Sequence, residues 1–311
     1  MSFWMERFLV NLVPVKGLRR RLRREVEIRS GEYGQKMYGE AVRKFLGLGQ
    51  VAENVRHLVL GSSHAHYGYL AGEDEFNLAE ISCDLYYCHE MLTHWLPRLP
   101  SLDRVILFVD IFSAGSCIER SSEVFRRIPW LHLYGMKPQQ EDHRSDTGIG
   151  LSYDVCEKAY VRFRERGFAS VANDPNYRGN ALKRPTMRVD DPNRRVASHV
   201  RLSRGDRLVW LERMISACAA RGVAVVVVYP PLRADFRARM KISLDEAYAP
   251  VNGLLTAAGR KARVLDLSAD GRFEDADFVD MDHLSLAGAG KLTRILTDDL
   301  EGFEGHVAYE G

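Results

Sequence analysis

The chain has 311 residues, of which 46% are hydrophobic and 28% charged, and this composition excludes a disordered or fibrous protein. Five cysteines without CxxC spacing argue against a disulfide framework or a cysteine zinc site and favour a reducing compartment. The net charge of +2 is unevenly distributed, because residues 1–24 contain seven basic residues and one acidic residue. The remaining chain is therefore net acidic, which argues against a globally basic nucleic-acid-binding protein.

The N-terminal segment combines an apolar face with a basic cluster. Apolar side chains recur at helical spacing between Trp4 and Val13, and most of the basic residues follow Pro14. A secretory signal has the opposite order, and the apolar run is shorter than the ~20 residues that cross a bilayer. We therefore predict a membrane-surface segment over residues 1–30, contact with anionic lipid through residues 1–24, and a cytoplasmic protein peripherally associated with the inner membrane. A terminal helix docked on the domain and a nucleic-acid tail are the alternatives.

An alternation of strands and helices follows. Short apolar segments predict five buried strands at Val55–Leu60, Glu75–Ala79, Arg104–Ile111, Val223–Tyr229 and Ala262–Leu267. Amphipathic segments and cap signals predict helices at Ser82–Leu96, Ser203–Ala220, Ser243–Ala258 and Ser285–Leu300. This alternation predicts an α/β domain with parallel strands over residues 50–311. Residues 114–200 break the pattern, apart from a predicted helix at Ser152–Arg166, and are expected to form an insertion or lid between the third and fourth strands.

The first candidate site is the turn Gly61-Ser62-Ser63-His64, which directly follows the first predicted strand. Ligands of parallel sheets bind at the carboxyl ends of the strands. Glycine permits a sharp turn there, and a serine presented by such a turn is a candidate nucleophile that requires a base. A serine in a turn is more often a helix cap, so this motif alone is weak evidence for catalysis.

The second candidate site is Asp280-Met281-Asp282-His283, just before the last predicted helix. The spacing allows the Asp280 carboxylate to contact one imidazole nitrogen of His283 and leaves the other nitrogen for a nucleophile. Asp282 is the alternative carboxylate partner. A metal held by Asp280, Asp282 and His283 would have too few ligands, so no metal is predicted. The two motifs together are stronger evidence for a serine-based site than either is alone.

These two motifs resemble the first and last sequence blocks of the SGNH/GDSL hydrolase superfamily. Gly61–Ser63 is similar to the first block, and Asp280–Leu284 is similar to the last. The resemblance implies a three-layer α/β/α sandwich with a mainly parallel five-stranded sheet. It also implies that Ser63 is the nucleophile, that His283 is the general base, and that Asp280 orients His283.

The other blocks depart from the family pattern. Ser62 stands where the family usually has aspartate. The second block fits the segment that ends at Ser82, which takes the place of a glycine whose backbone N–H helps form the oxyanion hole. The third block fits the segment that ends at Ser113, which takes the place of an asparagine that donates from its side chain. The resemblance therefore implies an oxyanion hole formed by Ser63, Ser82 and Ser113.

Candidate substrate contacts lie near these blocks and in the insertion, and they are His64, His66, Asn77, Asp84 and His199. Each has a plainer alternative as a loop, cap or packing residue. The divergent blocks resemble family members that modify polysaccharides. This resemblance implies O-acyl (acetyl) transfer to a carbohydrate or glycolipid in surface-polysaccharide biosynthesis, with no required cofactor and with acetyl-CoA as a candidate donor. The alternatives are a hydrolytic carbohydrate esterase, a non-catalytic glycan-binding or scaffold protein, and transfer of a non-acyl group.

Overall fold

The computed structural model describes residues 10–11, 14, 16–30, 32–121, 123–139, 153–165, 174, 176–181, 206–259 and 262–301. The chain divides into two compact units: the first comprises Met1–Gly47 and Ile118–Pro175, and the second comprises Leu48–Cys117 and Asn176–Gly311. The sequence predicts the N-terminal segment and the insertion as separate parts, whereas the structure places most of both in the first unit. The function of the insertion as a lid stays a prediction.

The second unit is built on a five-stranded sheet in which all paired strands are parallel. Its strands are β1 His57–Leu60, β2 Glu75–Asn77, β3 Arg104–Phe108, β4 Ala224–Tyr229 and β5 Ala262–Asp266. Their spatial order is β2-β1-β3-β4-β5, so the first strand of the chain lies inside the sheet. Every predicted strand is confirmed, with bounds one to three residues shorter than the apolar segment indicates.

Helices connect the strands and also form most of the first unit. In chain order they are α1 Lys16–Ser30, α2 Glu32–Val51, α3 Ser63–Gly68, α4 Leu85–Trp95, α5 Arg127–Tyr134, α6 Tyr153–Glu165, α7 Leu208–Ala219, α8 Ala234–Arg237, α9 Leu244–Ala258 and α10 Leu286–Glu301. The capping box predicted at the start of α9 is present, since Ser243 Oγ accepts from Glu246 N and the Glu246 carboxylate accepts from Ser243 N. The predicted cap Ser203 lies outside the described residues, and the helix expected to begin there begins at Leu208.

The sheet is covered on both faces. All five residues of β3 and the last five of β4 are buried, which is typical of central parallel strands. Ile106 and Val226 belong to one apolar cluster with Leu292 of α10. Side chains alternate between the faces along a strand, so Tyr229 points to the opposite face, where its ring stacks on Tyr248 of α9 at a centroid distance of 3.7 Å. These two helix layers confirm the predicted three-layer α/β/α architecture.

The first unit has an apolar cluster of its own around Tyr38 of α2, and its buried members are Tyr38, Val42, Ile128, Cys156 and Phe163. The Tyr38 hydroxyl donates to the carbonyl oxygen of Cys156 at 2.9 Å and lies 2.9 Å from His132 Nδ1. Residues from α2, α5 and α6 therefore share one core. The helix predicted at Ser152–Arg166 is confirmed as α6.

Gly61 provides a test of the turn that ends β1. Its φ is +143°, and a Cβ at this position would lie 2.8 Å from the Cβ of Phe108 and 3.0 Å from its carbonyl oxygen. We expect Gly61→Ala to lower the free energy of unfolding by about 2–4 kcal/mol, because the added carbon strains the backbone and overpacks β1 against the end of β3. Urea denaturation measures this loss.

The matched control is Gly253→Ala inside α9, where a Cβ meets no atom within 4 Å. It is expected to leave stability unchanged or to raise it slightly, because alanine is the better helix former. Equal effects of the two substitutions would contradict the close-approach argument.

Candidate active site

The nucleophile turn is held at the carboxyl edge of the sheet. Ser62 is the N-cap of α3, and its Oγ accepts from His64 N at 3.5 Å. This cap makes Ser63 the first residue of a six-residue helix that directly follows the β1 turn. Glu80 N donates to Gly61 O at 3.2 Å, so the segment after β2 is tied to the same turn.

The loop that carries the base is closed by its own hydrogen bonds. Phe278 and Leu284 form an antiparallel bridge, and Val279 N donates to His283 O at 2.9 Å. Inside the loop, Asp280 Oδ1 accepts hydrogen bonds from His283 N at 2.7 Å and from Asp282 N at 3.1 Å. The Asp280 carboxylate therefore fixes the backbone of the loop as well as facing the imidazole.

The structure brings Ser63, His283 and Asp280 together in the order of a catalytic triad. The Nε2 of His283 lies 2.7 Å from Ser63 Oγ, and Nδ1 lies 2.9 Å and 3.1 Å from the two carboxylate oxygens of Asp280. His283 and Asp280 are buried, whereas Ser63 is half-buried. When Nδ1 carries the imidazole proton and donates it to Asp280, Nε2 is free to accept the proton of the serine.

Asp282 is a second carboxylate beside the base. Its Oδ1 lies 3.2 Å from Nδ1 of His283, and its Oδ2 lies 3.6 Å from Nε2 of His64. Burial would raise the pKa of the Asp282 carboxyl, but the two imidazoles outweigh it and hold that pKa well below its usual range. Asp280 has the shorter contacts with His283, as the spacing predicts, and Asp282 lies between the two imidazoles.

The charges around His283 oppose one another. Burial lowers its pKa, and the nearby carboxylates of Asp282 and Asp280 raise it more strongly, so the pKa lies above 6.5. His64 has the opposite effect to the carboxylates and lowers the pKa of His283. The base strength of His283 is thus set by three neighbours in its immediate surroundings.

His64 faces carboxylates rather than open space. Its Nδ1 lies 3.1 Å from Asp110 Oδ2 and 3.2 Å from Ser62 Oγ, and only 5% of the residue is exposed. Burial lowers the pKa of His64, but Asp110 and Asp282 overcome this and raise the pKa to about 10. The sequence-based prediction that His64 contacts substrate is therefore corrected, because both ring nitrogens point to buried carboxylates of the protein.

Ser82 and Ser113, the two oxyanion donors predicted outside the nucleophile turn, differ in whether the structure agrees with that role. Ser82 has a φ of +60°, the left-handed conformation that glycine adopts at least cost, so the backbone at this position has the form expected of a glycine. Ser113 Oγ instead donates to Asp110 Oδ1 at 2.9 Å and accepts from Asp110 N at 3.0 Å. Its hydroxyl proton holds Asp110 in place, which corrects the prediction that Ser113 donates into the oxyanion hole.

Three of the predicted substrate contacts make hydrogen bonds within the protein. Asn77 Nδ2 donates to the carbonyl oxygens of Ala65 and Tyr69 at 3.0 Å each, and its Oδ1 accepts from Ala79 N. Asp84 is the N-cap of α4, and the ring of His66 lies 3.0 Å from Ala79 O through Nδ1. These hydrogen bonds give Asn77 and Asp84 roles in the fold, whereas contact of His66 Nε2 with substrate stays a prediction. His199 lies outside the described residues.

Sequence reasoning missed two residues that support the site. Asp110 follows β3, and its carboxylate accepts hydrogen bonds from Ser62 Oγ and Ser113 Oγ. Arg233 follows β4, donates to the carbonyl oxygen of Asp280 at 3.3 Å through its guanidinium, and donates from its backbone N to Met281 O. Both positions lie just beyond strands, so the rule that ligands bind at carboxyl ends could have identified them.

His64, Asp282 and His283 each place one ligand atom in a group within 4.8 Å, which is close enough for a metal ion. A metal requires neutral imidazoles, whereas the pKa of His64 is raised to about 10. A metal at this position would therefore have to displace that proton. The expectation that no metal binds here stays a prediction.

No protein-family model matches the chain, and no curated protein matches it either. The likeness to the SGNH/GDSL superfamily therefore stays a resemblance carried by two short motifs.

The pH dependence of serine reactivity tests the charge balance at His283. A fluorophosphonate reacts with a serine whose base is neutral, so the labelling rate is expected to fall with decreasing pH through a midpoint above 6.5. Intact mass recorded against time at each pH gives that midpoint. Asp280→Asn removes a carboxylate that raises the pKa of His283 and should move the midpoint to lower pH. A wild-type midpoint below 6.5 would contradict the assignment.

Proposed function

We propose that this protein is a serine acyl-transfer enzyme in which Ser63, His283 and Asp280 form the catalytic triad. The observation that carries the proposal is the continuous chain of contacts from Ser63 Oγ through the His283 ring to the Asp280 carboxylate, at 2.7 Å and 2.9 Å. A buried imidazole between a hydroxyl and a carboxylate is an arrangement suited to nucleophilic catalysis.

In the first half of the reaction, Ser63 Oγ attacks the carbonyl carbon of an acyl donor while its proton passes to His283 Nε2. The Asp280 carboxylate stabilises the imidazolium that forms. Backbone N–H groups at Ser63 and Ser82 are the proposed donors to the oxyanion of the tetrahedral intermediate. When that intermediate collapses, the bond to the leaving group breaks, His283 returns the proton to the leaving group, and Ser63 retains the acyl group as an ester.

In the second half, a hydroxyl group attacks the carbonyl carbon of the acyl-enzyme and His283 accepts its proton. The ester bond to Ser63 Oγ then breaks, and His283 returns the proton to that oxygen, which regenerates the serine. A sugar hydroxyl as acceptor gives O-acyl transfer, and water gives hydrolysis. The resemblance to polysaccharide-modifying SGNH proteins favours a carbohydrate or glycolipid acceptor in surface-polysaccharide biosynthesis, with acetyl-CoA as the donor and no cofactor. A carbohydrate esterase with the same triad is the alternative, followed by a non-catalytic glycan-binding protein.

The N-terminal helix supports a proposed location at a membrane surface. The basic cluster predicted in the sequence lies within α1, and Lys16 and Leu18 at its start are both exposed. Helices of this composition bind anionic lipid through charge and apolar contact together. Within the residues that the structure describes, no helix is both long enough and apolar enough to cross a bilayer. We therefore propose peripheral association with the cytoplasmic face of the inner membrane.

Intact mass after treatment with a fluorophosphonate tests the nucleophile. One adduct is expected on the wild-type protein and none on Ser63→Ala, because the adduct requires the hydroxyl that His283 activates. Ser216→Ala, on the exposed face of α7, is the control and should label like the wild type. Equal labelling of wild type and Ser63→Ala would rule out Ser63 as the activated serine.

The same protein then identifies the acceptor. Incubation with acetyl-CoA and candidate sugars should give an acetylated sugar, and the product should disappear in Ser63→Ala. Free acetate as the product even in the presence of sugars would favour the esterase. A protein that binds a glycan but shows neither a fluorophosphonate adduct nor turnover would favour the non-catalytic alternative.

Co-sedimentation with vesicles tests the membrane proposal. Replacing the six basic residues of α1 between positions 16 and 24 with glutamine should lower binding to phosphatidylglycerol vesicles at least tenfold, since each Lys or Arg contributes about 1 kcal/mol near an anionic surface. Phosphatidylcholine vesicles are the control and should bind neither protein. Undiminished binding of the variant to anionic vesicles would contradict the proposal.

A further inference from the structure

A second imidazole lies against the base of the proposed triad. His64 is the residue after the nucleophile, and its ring stacks on that of His283 with centroids 5.1 Å apart and an interplanar angle of 14°. The ring is buried, so its charge is poorly screened by solvent. Whatever protonation state His64 holds therefore acts directly on His283.

The partners of His64 indicate that state. A neutral imidazole has one N–H donor and one acceptor, whereas an imidazolium has two donors. The two nitrogens of His64 face two different carboxylates, Asp110 at 3.1 Å and Asp282 at 3.6 Å. A neutral ring would turn a lone pair toward one of these carboxylates, and this arrangement is unfavourable in a buried site. The imidazolium donates a hydrogen bond from Nδ1 to Asp110 and places its positive charge at ion-pair distance from Asp282 on the Nε2 side.

Asp110 is itself held rigidly as an anion. Its Oδ2 accepts from Ser62 Oγ at 2.6 Å, and its Oδ1 accepts from Phe112 N at 3.0 Å and from Ser113 Oγ at 2.9 Å. Burial would raise the pKa of the Asp110 carboxyl, but these donors and His64 lower it to about 2. His64 therefore faces a fixed negative charge at neutral pH.

We propose that His64 is a permanently protonated positioning residue, an imidazolium held between Asp110 and Asp282 that opposes protonation of His283 and so favours the neutral ring that accepts the proton of Ser63. The inference deepens the proposed function and rests on it, because it concerns the base of the same triad.

The need for a cation follows from the groups that face His283. Its own loop supplies two carboxylates, Asp280 and Asp282, and α3 supplies the Ser63 hydroxyl and the ring of Tyr67, whose centroid lies 5.7 Å away. Two anions beside one imidazole favour its protonated form, and a protonated His283 cannot act as a base. The positive charge of His64 offsets one of these anions and also repels a proton on the stacked ring.

The same charge assists the return of the proton. Once His283 has taken the proton of Ser63, two stacked cations lie 5.1 Å apart at their centroids. Their repulsion favours transfer of that proton from His283 to the leaving group, so His64 supports both directions of proton movement without touching the substrate.

The direct test is a nitrogen-15 NMR titration of the full-length protein labelled at histidine, with His64 and His283 assigned from single substitutions. His64 is expected to show two protonated nitrogens from pH 6 to beyond pH 8, because its pKa is raised to about 10. His283 is expected to titrate above its ordinary pKa of 6.5. A His64 that loses a proton near pH 6.5 would overturn the proposal, and the titration itself is carried out on the wild-type protein without substrate.

Two substitutions test the influence of His64 on the base. His64→Gln removes the cation and should move the pKa of His283, and the acid limb of fluorophosphonate labelling, upward by about one unit. Asp282→Asn removes an anion and should move both downward. His66→Gln is the matched control, since the His66 ring pairs with a backbone oxygen, and should leave the pKa of His283 in place. A purely structural role for His64 predicts a loss of stability without these opposite shifts, and that result would overturn the proposal.

The outcomes also separate this inference from the proposed function. If NMR shows a doubly protonated His64 and a His283 that titrates above pH 6.5, but the fluorophosphonate does not label Ser63, then the charge on His64 is confirmed and the serine mechanism is contradicted. If the fluorophosphonate labels Ser63 but His64 is neutral, then the serine mechanism is supported and the proposal of a protonated His64 is contradicted.

Discussion

The hydrogen bond between Ser63 and His283 joins residues 220 positions apart, and the rest of the site depends on it. A contact of 2.7 Å at that separation requires a rigid scaffold that brings two distant loops to one place. The parallel sheet provides it, because the chain leaves β1 and β5 at the same edge. The Ser63 turn follows β1 directly, and the His283 loop lies between β5 and α10. The burial of both sheet faces is therefore a condition for the chemistry as well as for stability.

Burial also makes the charges of the site costly, because several ionisable groups are removed from water together. Three carboxylates, those of Asp110, Asp280 and Asp282, lie within hydrogen-bond or ion-pair distance of two imidazoles, and all five groups are almost fully removed from solvent. Unpaired buried charges are costly, so their positions cannot be independent. Each carboxylate faces at least one imidazole, and the two rings stack. In the proposed mechanism, His283 is the ring that transfers the proton and His64 is the ring that compensates charge.

Local signals were sufficient for the fold and the triad. The strands were predictable because short, mainly apolar segments, observed as strands of three to six residues, alternate with helical segments in an α/β pattern. The capping box at Ser243 is a purely local motif. Ser63, Asp280 and His283 were predictable because both motifs adjoin elements of fixed order. The helix expected from Ser203 is observed from Leu208, and Ser203 itself lies outside the described residues.

The errors share one physical cause. Ser113 and Asn77 lie where a functional donor was expected, yet their hydrogen bonds go to Asp110 and to backbone oxygens respectively. The direction of a polar side chain depends on which buried partner is unpaired nearby, and that partner comes from another part of the chain. The position of Asp110 just after β3 is a signal for the site, but its partners were not predictable, because nothing in its neighbouring sequence indicates that Ser62 and His64 converge on it.

The departures from the SGNH pattern around the nucleophile are linked to one another. The aspartate usual at position 62 is a serine here, and the serine Oγ donates to Asp110 at 2.6 Å. An aspartate at position 62 would place a second carboxylate against Asp110, and two buried anions at that distance would drive one of them to take up a proton. The serine allows Asp110 to remain ionised, and in our proposal the ionised Asp110 holds His64 as a cation. Ser62, the carboxylate that follows β3 and the His64 ring beside His283 are therefore three parts of one arrangement.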